Sequence, residues 1–436
     1  MATASTSPTS TAREREPREP RGPHEQGSAY REALAVRPGL VLARKPHLLS
    51  LLDSGGDIVH LDLEGRLHRA WLGGDSYQRG LDGRVRHVRV ERAGPFRQLE
   101  IELAGEPEAL RVLDRVAALV RAAADALPAG APAALARPLE RARAWDLARY
   151  RLERERFRRL YQPIPILPPD QNRALVIQVT EGCAWNRCTF CHLYRDTAFR
   201  LKPADELQAH VRGVLELVGR ALPLRRGVFL GQANALCIAQ EKLVPLIALV
   251  REETGQFLAG GAIDDRGEPP ITAFTSFGSF IDAFSAPKTA AELGELRQLG
   301  LTRVTLGLES GSAEVLAGLG KPLEVPEAAG LAATARAAGL GLGTIVLVGA
   351  GGRRLARAHV AETVAAVAQM SPGSGDRVYL SPLVVHPGEA YEERIRELGA
   401  LDPAELIEQA DAIRGGLRQA GVRAPIALYH LRRFIY

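Results

Sequence analysis

The sequence predicts an α/β protein in which an open parallel barrel of six β-α units follows a small α+β domain and a polar tail. Between residues 171 and 400, short apolar runs alternate with stretches of helical spacing, as in a parallel sheet with helical crossovers. Residues 29–127 instead show alternating strand-like segments and then one long helical pattern. The chain has 436 residues, enough for two domains with a sizeable core.

Residues 1–28 are rich in Ser, Thr, Pro, Arg and Glu and contain almost no large apolar side chain. Such a segment cannot bury enough apolar surface to fold, so we expect a disordered tail. A basic arm is the alternative, but glutamates alternate with the arginines and favour a solvated tail.

The small α+β domain of residues 29–127 has no recognisable catalytic group. His60, His68 and His87 are isolated on strand-like segments, which favours hydrogen-bonded sheet positions over metal ligation. Residues 128–170 are predicted to form a linker to Pro138 and then an arginine-rich helix, which we expect to be solvated or interdomain. The predicted strands are Asp57–Leu63, Arg66–Leu72, Arg84–Val90 and Gln98–Leu103, and the predicted helices are Glu106–Leu127 and Leu139–Tyr161.

The barrel of residues 171–400 is predicted from six apolar strands, and residues 401–436 are expected to be a helical extension. In such barrels functional groups lie at the carboxyl ends of the strands. The predicted strands are Ala174–Val179, Gly227–Leu230, Ile271–Phe277, Thr302–Leu308, Leu342–Val348 and Arg377–Leu383. After the helix that Pro203 opens, the predicted helices are Gln240–Glu252, Thr289–Leu299, Pro326–Ala338 and Ala356–Met370.

Three of the four cysteines, Cys183, Cys188 and Cys191, lie within nine residues directly after the first barrel strand. Thiolates select zinc, copper(I) or iron–sulfur clusters. A structural zinc ion usually takes four ligands, often as two pairs, whereas a cubane on three cysteines keeps one iron open. The spacing favours a cluster, and a closed zinc site or three buried thiols are the alternatives. The fourth cysteine, Cys237, is expected to pack as a small apolar residue, which leaves thiols for one cluster only.

The spacing C-x4-C-x2-C, with Phe190 before the last cysteine, resembles the radical S-adenosylmethionine (SAM) superfamily. Within it the segment is similar to a poorly characterised branch with the motif T-x-G-C-[SA]-x-N-x-C-T-F-C-x-x-Y-[KR]. The matching residues besides the cysteines are Gly182, Asn186, Thr189, Phe190, Tyr194 and Arg195. The resemblance implies a partial TIM barrel, a [4Fe–4S] cluster on Cys183, Cys188 and Cys191, and SAM at the open iron.

The resemblance also implies contacts to SAM from other strand ends. Gly231, Gln232 and Ala233 stand where the superfamily has Gly-Gly-Glu, so they would hold the methionine amino group, with a neutral amide in place of the acid. Glu309 and Ser310 would face the ribose or methionine end. The wall around adenine would come from Ile345 and the sixth strand with Leu383, beside Phe190.

The implied function is reductive cleavage of SAM at a single cluster, which starts hydrogen abstraction from an unknown substrate and needs an external one-electron reductant. An RNA-modifying or RNA-binding protein is one alternative. A cluster- or zinc-holding protein without SAM turnover is the other, and Gln232 is its only indication. Polar candidates that could face a substrate are His192, Tyr194, Arg195, Arg200, Asp282, Lys288 and His386.

Composition places weak bounds on partners and location. The net charge of +5 permits a nucleic-acid partner but does not support one. Neither a membrane-spanning apolar run nor a signal-peptide pattern is found, so no membrane partner is expected. Thiols in a cluster motif favour a reducing, cytoplasmic setting.

Overall fold

The computed structural model describes residues 31–93, 96–259, 274, 276–431 and 434–436. The predicted tail at residues 1–28 and most of the predicted strand Ile271–Phe277 lie outside the described residues. Among the described residues, no helix is long and apolar enough to cross a membrane.

The N-terminal part is an antiparallel sheet of eight strands, each paired with the next along the chain. Leu42, Leu51 and Val59 are buried in its core together with Val116 of the helix that follows. The strands are β1 (Glu32–Arg37), β2 (Leu40–Lys45), β3 (Leu48–Asp53), β4 (Ile58–Leu61), β5 (Leu67–Leu72), β6 (Asp75–Arg79), β7 (Val85–Ala93) and β8 (Phe96–Leu103). The sequence did not predict β1, β2, β3 or β6, partly because β3 buries three consecutive residues and so does not alternate.

Three helices connect this sheet to the barrel: α1 (Glu106–Asp125), α2 (Ala133–Arg143) and α3 (Leu147–Leu160). The prediction of a linker up to Pro138 is wrong, because Pro138 lies inside α2. Burial of Leu135 and Leu139 in the N-terminal core outweighs the backbone hydrogen bond that this proline cannot make. The prediction of a single arginine-rich helix over Leu139–Tyr161 is also wrong. Asp146 begins a separate helix, α3, and caps it by accepting a hydrogen bond from the Arg149 N–H.

The barrel is a seven-stranded parallel sheet whose strands are in chain order, so their carboxyl ends share one edge. Six strands were predicted, and the seventh, Ile426–Leu428, pairs with the strand Arg377–Pro382. The C-terminal extension is therefore not purely helical, and three residues were too short a strand to recognise. The strands are β9 (Leu175–Gln178), β12 (Val228–Gly231), β13 (Phe277–Ile281), β14 (Leu301–Glu309), β15 (Gly341–Val348), β16 (Arg377–Pro382) and β17 (Ile426–Leu428), and β10 (Thr180–Glu181) pairs with β11 (Arg200–Leu201) beside them.

Helices cover the outside of the barrel sheet and carry most of the apolar side chains that pack against it. The core joins residues from strands and helices, for example Ile177, Val214, Leu306 and Ile413. The helices are α4 (Ala204–Val218), α5 (Gln240–Ala259), α6 (Ala290–Gln298), α7 (Ala313–Gly318), α8 (Val325–Ala337), α9 (Gly352–Gln369), α10 (Ala390–Leu398) and α11 (Pro403–Gln419).

Arg66 joins the N-terminal sheet to the barrel. Its guanidinium donates to Glu153 of α3 and to the Leu217 and Val218 carbonyls at the end of α4, each at 2.8 Å. These carbonyls have no partner within their own helix, so a buried cation at a helix C-terminus is well placed. The two parts of the chain therefore share a hydrogen-bonded boundary.

Candidate functional site

The three clustered cysteines lie in one loop, which starts at β10 and is closed by the pairing of Thr180 with Leu201. All three thiols are half-buried. Gly182 opens the loop with φ +70°, and a Cβ there would lie 2.6 Å from the Thr197 carbonyl oxygen. Only glycine fits this backbone position.

Motif residues other than the cysteines shape the loop from within. Asn186 has φ +45°, its N–H points to Cys183 Sγ at 3.4 Å, and its amide donates to the Tyr194 carbonyl at 3.0 Å. Arg195 donates to the Cys191 carbonyl at 3.0 Å and to the Cys188 carbonyl at 2.8 Å. These contacts hold the tight turns of the loop that carries the three thiols.

The loop is also fixed to the turn that follows α7. Thr189 donates to the Gly318 carbonyl through Oγ1 at 2.9 Å and to the Leu319 carbonyl through its N–H at 2.9 Å. Trp185 Nε1 donates to the Gly320 carbonyl at 3.1 Å. The cysteine loop is thus held on two sides, by β11 and by this turn.

Burial governs the chemistry of the thiols. It raises the pKa of Cys188 to about 12 and that of Cys191 to about 11, and the neighbouring cysteines act in the same direction. Free thiols at Cys188 and Cys191 are therefore protonated at neutral pH, and a metal centre would displace their protons on binding. Three half-buried sulfur ligands in one loop fit a cluster with an open position.

Cys237 lies in another loop, the one after β12. Its thiol donates to the Asn234 carbonyl at 3.0 Å and packs against the barrel core. Burial raises its pKa to about 11, and the charges of Asp282 and Cys183 raise it further. Cys237 is thus anchored in its own loop.

Both polar atoms of the Gln232 side chain have partners. Its Oε1 accepts a hydrogen bond from the Gly182 N–H at 2.7 Å, and its Nε2 donates to the Pro163 carbonyl at 2.7 Å. This contact uses one of the two lone pairs of that oxygen, so acceptance from the ammonium of SAM stays a prediction. Gly231 and Ala233 flank it at the carboxyl end of β12, and the Gly231 carbonyl accepts from Thr180 Oγ1 at 3.3 Å.

Glu309 and Ser310 have separate partners. Glu309 lies at the end of β14 with φ +64°, and its carboxylate pairs with Lys321 Nζ at 2.9 Å. Ser310 Oγ accepts from the Ser312 N–H at 2.9 Å and hydrogen-bonds His359 Nδ1 at 2.8 Å. The Ser310 hydroxyl thus supports its own turn.

Lys321 was not singled out from the sequence. Burial alone would lower its pKa, but Glu309 and Cys188 raise the pKa above its usual value. The ammonium therefore stays charged beside the thiols, where it would favour thiolates. It follows Gly320 in an irregular turn, and no sequence pattern marks it.

The predicted apolar wall is divided between two clusters. Ile345 packs with Tyr379 and Tyr429. Phe190 and Leu383 instead pack together with the cluster that includes Leu347. The structure brings Phe190 and Leu383 together and groups Ile345 elsewhere.

The seven polar substrate candidates lie in different surroundings. Tyr194 is buried, and Arg195 binds the cysteine loop as described above. Arg200 pairs with Glu181 and Glu206, Asp282 accepts from Asn234 and from its own turn, and Lys288 donates to the Ile238 carbonyl. His192 and His386 instead lie side by side, with ring centroids 3.7 Å apart.

No protein-family model matches the chain, and no curated protein matches it. Solved structures do. Coproporphyrinogen III oxidase HemN from Escherichia coli, a radical SAM enzyme, matches with 17% identity over 57% of this chain and 52% of its own, at a TM-score of 0.41. The radical SAM methyltransferase TsrM from Kitasatospora setae, with cobalamin and a [4Fe–4S] cluster bound, matches with 15% identity over 51% of this chain and 39% of its own, at 0.35. Archaeal Elp3 from Methanocaldococcus infernus matches with 13% identity over 59% of this chain and 56% of its own, at a TM-score of 0.40.

The chain is similar to radical SAM enzymes. The match covers about half the length of HemN. All three TM-scores are below 0.5, so the function proposed below rests on the residues of this chain.

Proposed function

We propose that the chain is a radical SAM enzyme, with one [4Fe–4S] cluster on Cys183, Cys188 and Cys191 and SAM beside it. The observation that carries the proposal is the set of three half-buried thiols in one loop at the carboxyl edge of a parallel sheet. When bound, the two cofactors would supply a one-electron cleavage that starts hydrogen abstraction from a substrate. An external reductant would provide the electron.

The residues around the thiols suit such a centre. Arg195 donates to the carbonyls of Cys191 and Cys188 and so fixes the backbone that carries these two thiols. The Lys321 ammonium supplies a positive charge beside Cys188, which would offset part of the negative charge of a thiolate-bound cluster. Cluster and charge would both be held in a partly water-excluded site.

For SAM, the residues at the end of β12 would hold the methionine end. The Gln232 amide is oriented by Gly182 and Pro163 but keeps a second lone pair on Oε1, so it would accept from the methionine amino group beside the backbone of Gly231 to Ala233. The Glu309 carboxylate, neutralised by Lys321, would lie toward the ribose or methionine end. Phe190 and Leu383 would contribute the apolar surface for adenine.

The test is SAM cleavage by the full chain. The protein would be reconstituted with iron and sulfide without oxygen, reduced with dithionite and incubated with SAM, and 5′-deoxyadenosine would be measured. Formation of deoxyadenosine supports the proposal. A protein that holds the cluster but produces no deoxyadenosine would overturn it.

Two cysteine variants make this test specific. Cys188→Ala is expected to lose both the cluster and cleavage, whereas the matched Cys237→Ala should keep both. Loss of the metal centre in Cys237→Ala would indicate instead a centre that Cys237 closes as a fourth thiolate, without SAM turnover.

A further inference from the structure

A second group of ligand-type side chains lies beside the cysteine loop and is formed by His192, His386 and Glu389. Their potential ligand atoms all lie within 4.8 Å of one another. His192 follows Cys191 directly, while His386 and Glu389 belong to the loop between β16 and α10. The thiol ligands of the proposed cluster are not part of this group.

Several contacts hold the two loops in place. The Tyr391 N–H donates to the Thr189 carbonyl at 3.2 Å, which joins the start of α10 to the cysteine loop. Glu389 Oε2 accepts a hydrogen bond from the His386 N–H at 3.2 Å, so the carboxylate is oriented by its own turn. Phe190 and Val385 pack against the same apolar cluster. The group is therefore positioned by backbone and core contacts.

The geometry of Glu389 is not that of a simple ion pair. Its Oε1 is buried, and within the described ranges it has no hydrogen-bond partner. His192 Nδ1 lies 2.8 Å away but makes no hydrogen bond to this oxygen. Two ligand atoms around a common ion approach each other in this way without a hydrogen bond between them. A buried carboxylate oxygen without a donor is costly, and a cation would stabilise it.

We propose that His192, His386 and Glu389 bind a divalent transition-metal ion, of which zinc and ferrous iron are the best fit. Two imidazole nitrogens and one carboxylate oxygen, at about 2.0–2.2 Å from the ion, are a ligand set that these metals accept. Three protein ligands leave further positions of the ion open. The side chain of His192 is 41% exposed, so the open positions would be on the accessible side of the group.

The first experiment uses the full chain with its cysteines already occupied by a reconstituted cluster. Zinc would be titrated by equilibrium dialysis without oxygen. One additional equivalent is expected to bind. His386→Ala and Glu389→Gln should each weaken this binding at least about tenfold, and His47→Ala, an exposed histidine of the N-terminal sheet, should not. Absence of the additional equivalent in the reconstituted wild type, or unchanged binding in both variants, would overturn the proposal.

A second experiment separates this site from the cluster and therefore from the proposed function. A Cys183→Ala, Cys188→Ala, Cys191→Ala variant cannot hold zinc through these thiols, but it should still bind one equivalent, and adding His386→Ala should remove it. His192→Asn in the same background provides a second ligand variant. Thermal unfolding monitored by circular dichroism would identify a variant that fails to fold. The proposal would be contradicted if the folded triple variant bound zinc equally tightly with and without His386→Ala and with and without His192→Asn.

Discussion

The side-chain oxygen of Gln232 accepts a hydrogen bond from the Gly182 N–H at 2.7 Å. The nitrogen of the same amide donates to the Pro163 carbonyl at 2.7 Å. One buried amide therefore joins the end of β12 to the start of the cysteine loop and to the segment before the barrel. A carboxylate could replace the acceptor but not the donor, which gives a physical reason for an amide at this position.

Replacing Gln232 should loosen the cysteine loop. Gln232→Ala leaves the Gly182 N–H and the Pro163 carbonyl without this partner, and Gln232→Glu places a carboxylate against that carbonyl. We expect both variants to retain less iron after anaerobic reconstitution and desalting, with alanine giving at least a twofold loss. Gln256→Ala, at an exposed position of α5, is the matched control. Wild-type iron content in Gln232→Ala would show that the amide does not hold the loop.

The Glu309–Lys321 ion pair should contribute strongly to stability when only one partner is removed. Both side chains are about nine-tenths buried, with N and O 2.9 Å apart. Lys321→Met or Glu309→Gln should each lower the free energy of unfolding by about 3 kcal/mol or more, because the remaining partner loses its counter-ion. The double variant should lose less than the sum of the two.

Urea titration of the four proteins in this cycle gives the coupling between the two side chains. Arg414→Met serves as control, because the Arg414–Asp411 pair on α11 is solvent-exposed and should change stability by less than about 0.5 kcal/mol. Additive losses at Glu309 and Lys321 would mean that the pair is not coupled.

The parts of the molecule that could be predicted have signals local in the sequence. The buried strands Val228–Gly231 and Gly341–Val348 are uninterrupted apolar runs or nearly so, and the cysteines identify their own loop by spacing. The general alternation of strands and helices followed in the same way. β3 does not alternate, because three consecutive residues are buried, and β17, with three residues, is too short to give a pattern.

The site details that could not be predicted depend on contacts between distant residues. The hydrogen bond between Gly182 and Gln232 could not be predicted, because the two residues are fifty positions apart in the sequence. Lys321 lies in an irregular turn and gains its significance from Glu309 and Cys188 in space. Glu389 could have been noticed from the spacing His386-x-x-Glu389 after a strand, but only the fold brings His192 to that pair.

Acid should weaken the fold through His210. Burial, with the charge of Lys202 nearby, lowers its pKa to about 4, and Nε2 accepts from the Gln178 N–H at 3.1 Å. An unfolded histidine has a pKa near 6.5, so the unfolded chain binds the proton first as the pH falls. The contribution of this residue is complete above about pH 6.5 and is lost toward about pH 4, up to about 3 kcal/mol.

His210→Gln keeps an acceptor but cannot titrate, so its free energy of unfolding should fall less steeply than that of the wild type between about pH 7 and about pH 5. Urea titrations at several pH values measure this slope. His47→Gln, at an exposed turn, should leave it unchanged. An equal slope in His210→Gln and the wild type would exclude His210 as a source of the acid sensitivity.

Gly307 provides the space in which the Glu309–Lys321 pair lies. A Cβ at this position would approach Lys321 Nζ to 2.8 Å and Glu309 Oε1 still more closely. Gly307→Ala should therefore displace the pair, lower the free energy of unfolding by about 1–3 kcal/mol and reduce iron retention, because Lys321 lies beside Cys188. Gly415 of α11 is the matched control, since a Cβ there meets no atom within 4 Å. Gly415→Ala should instead stabilise the chain by up to about 1 kcal/mol. Equal stability of Gly307→Ala and the wild type in urea would show that the pair tolerates the added methyl group.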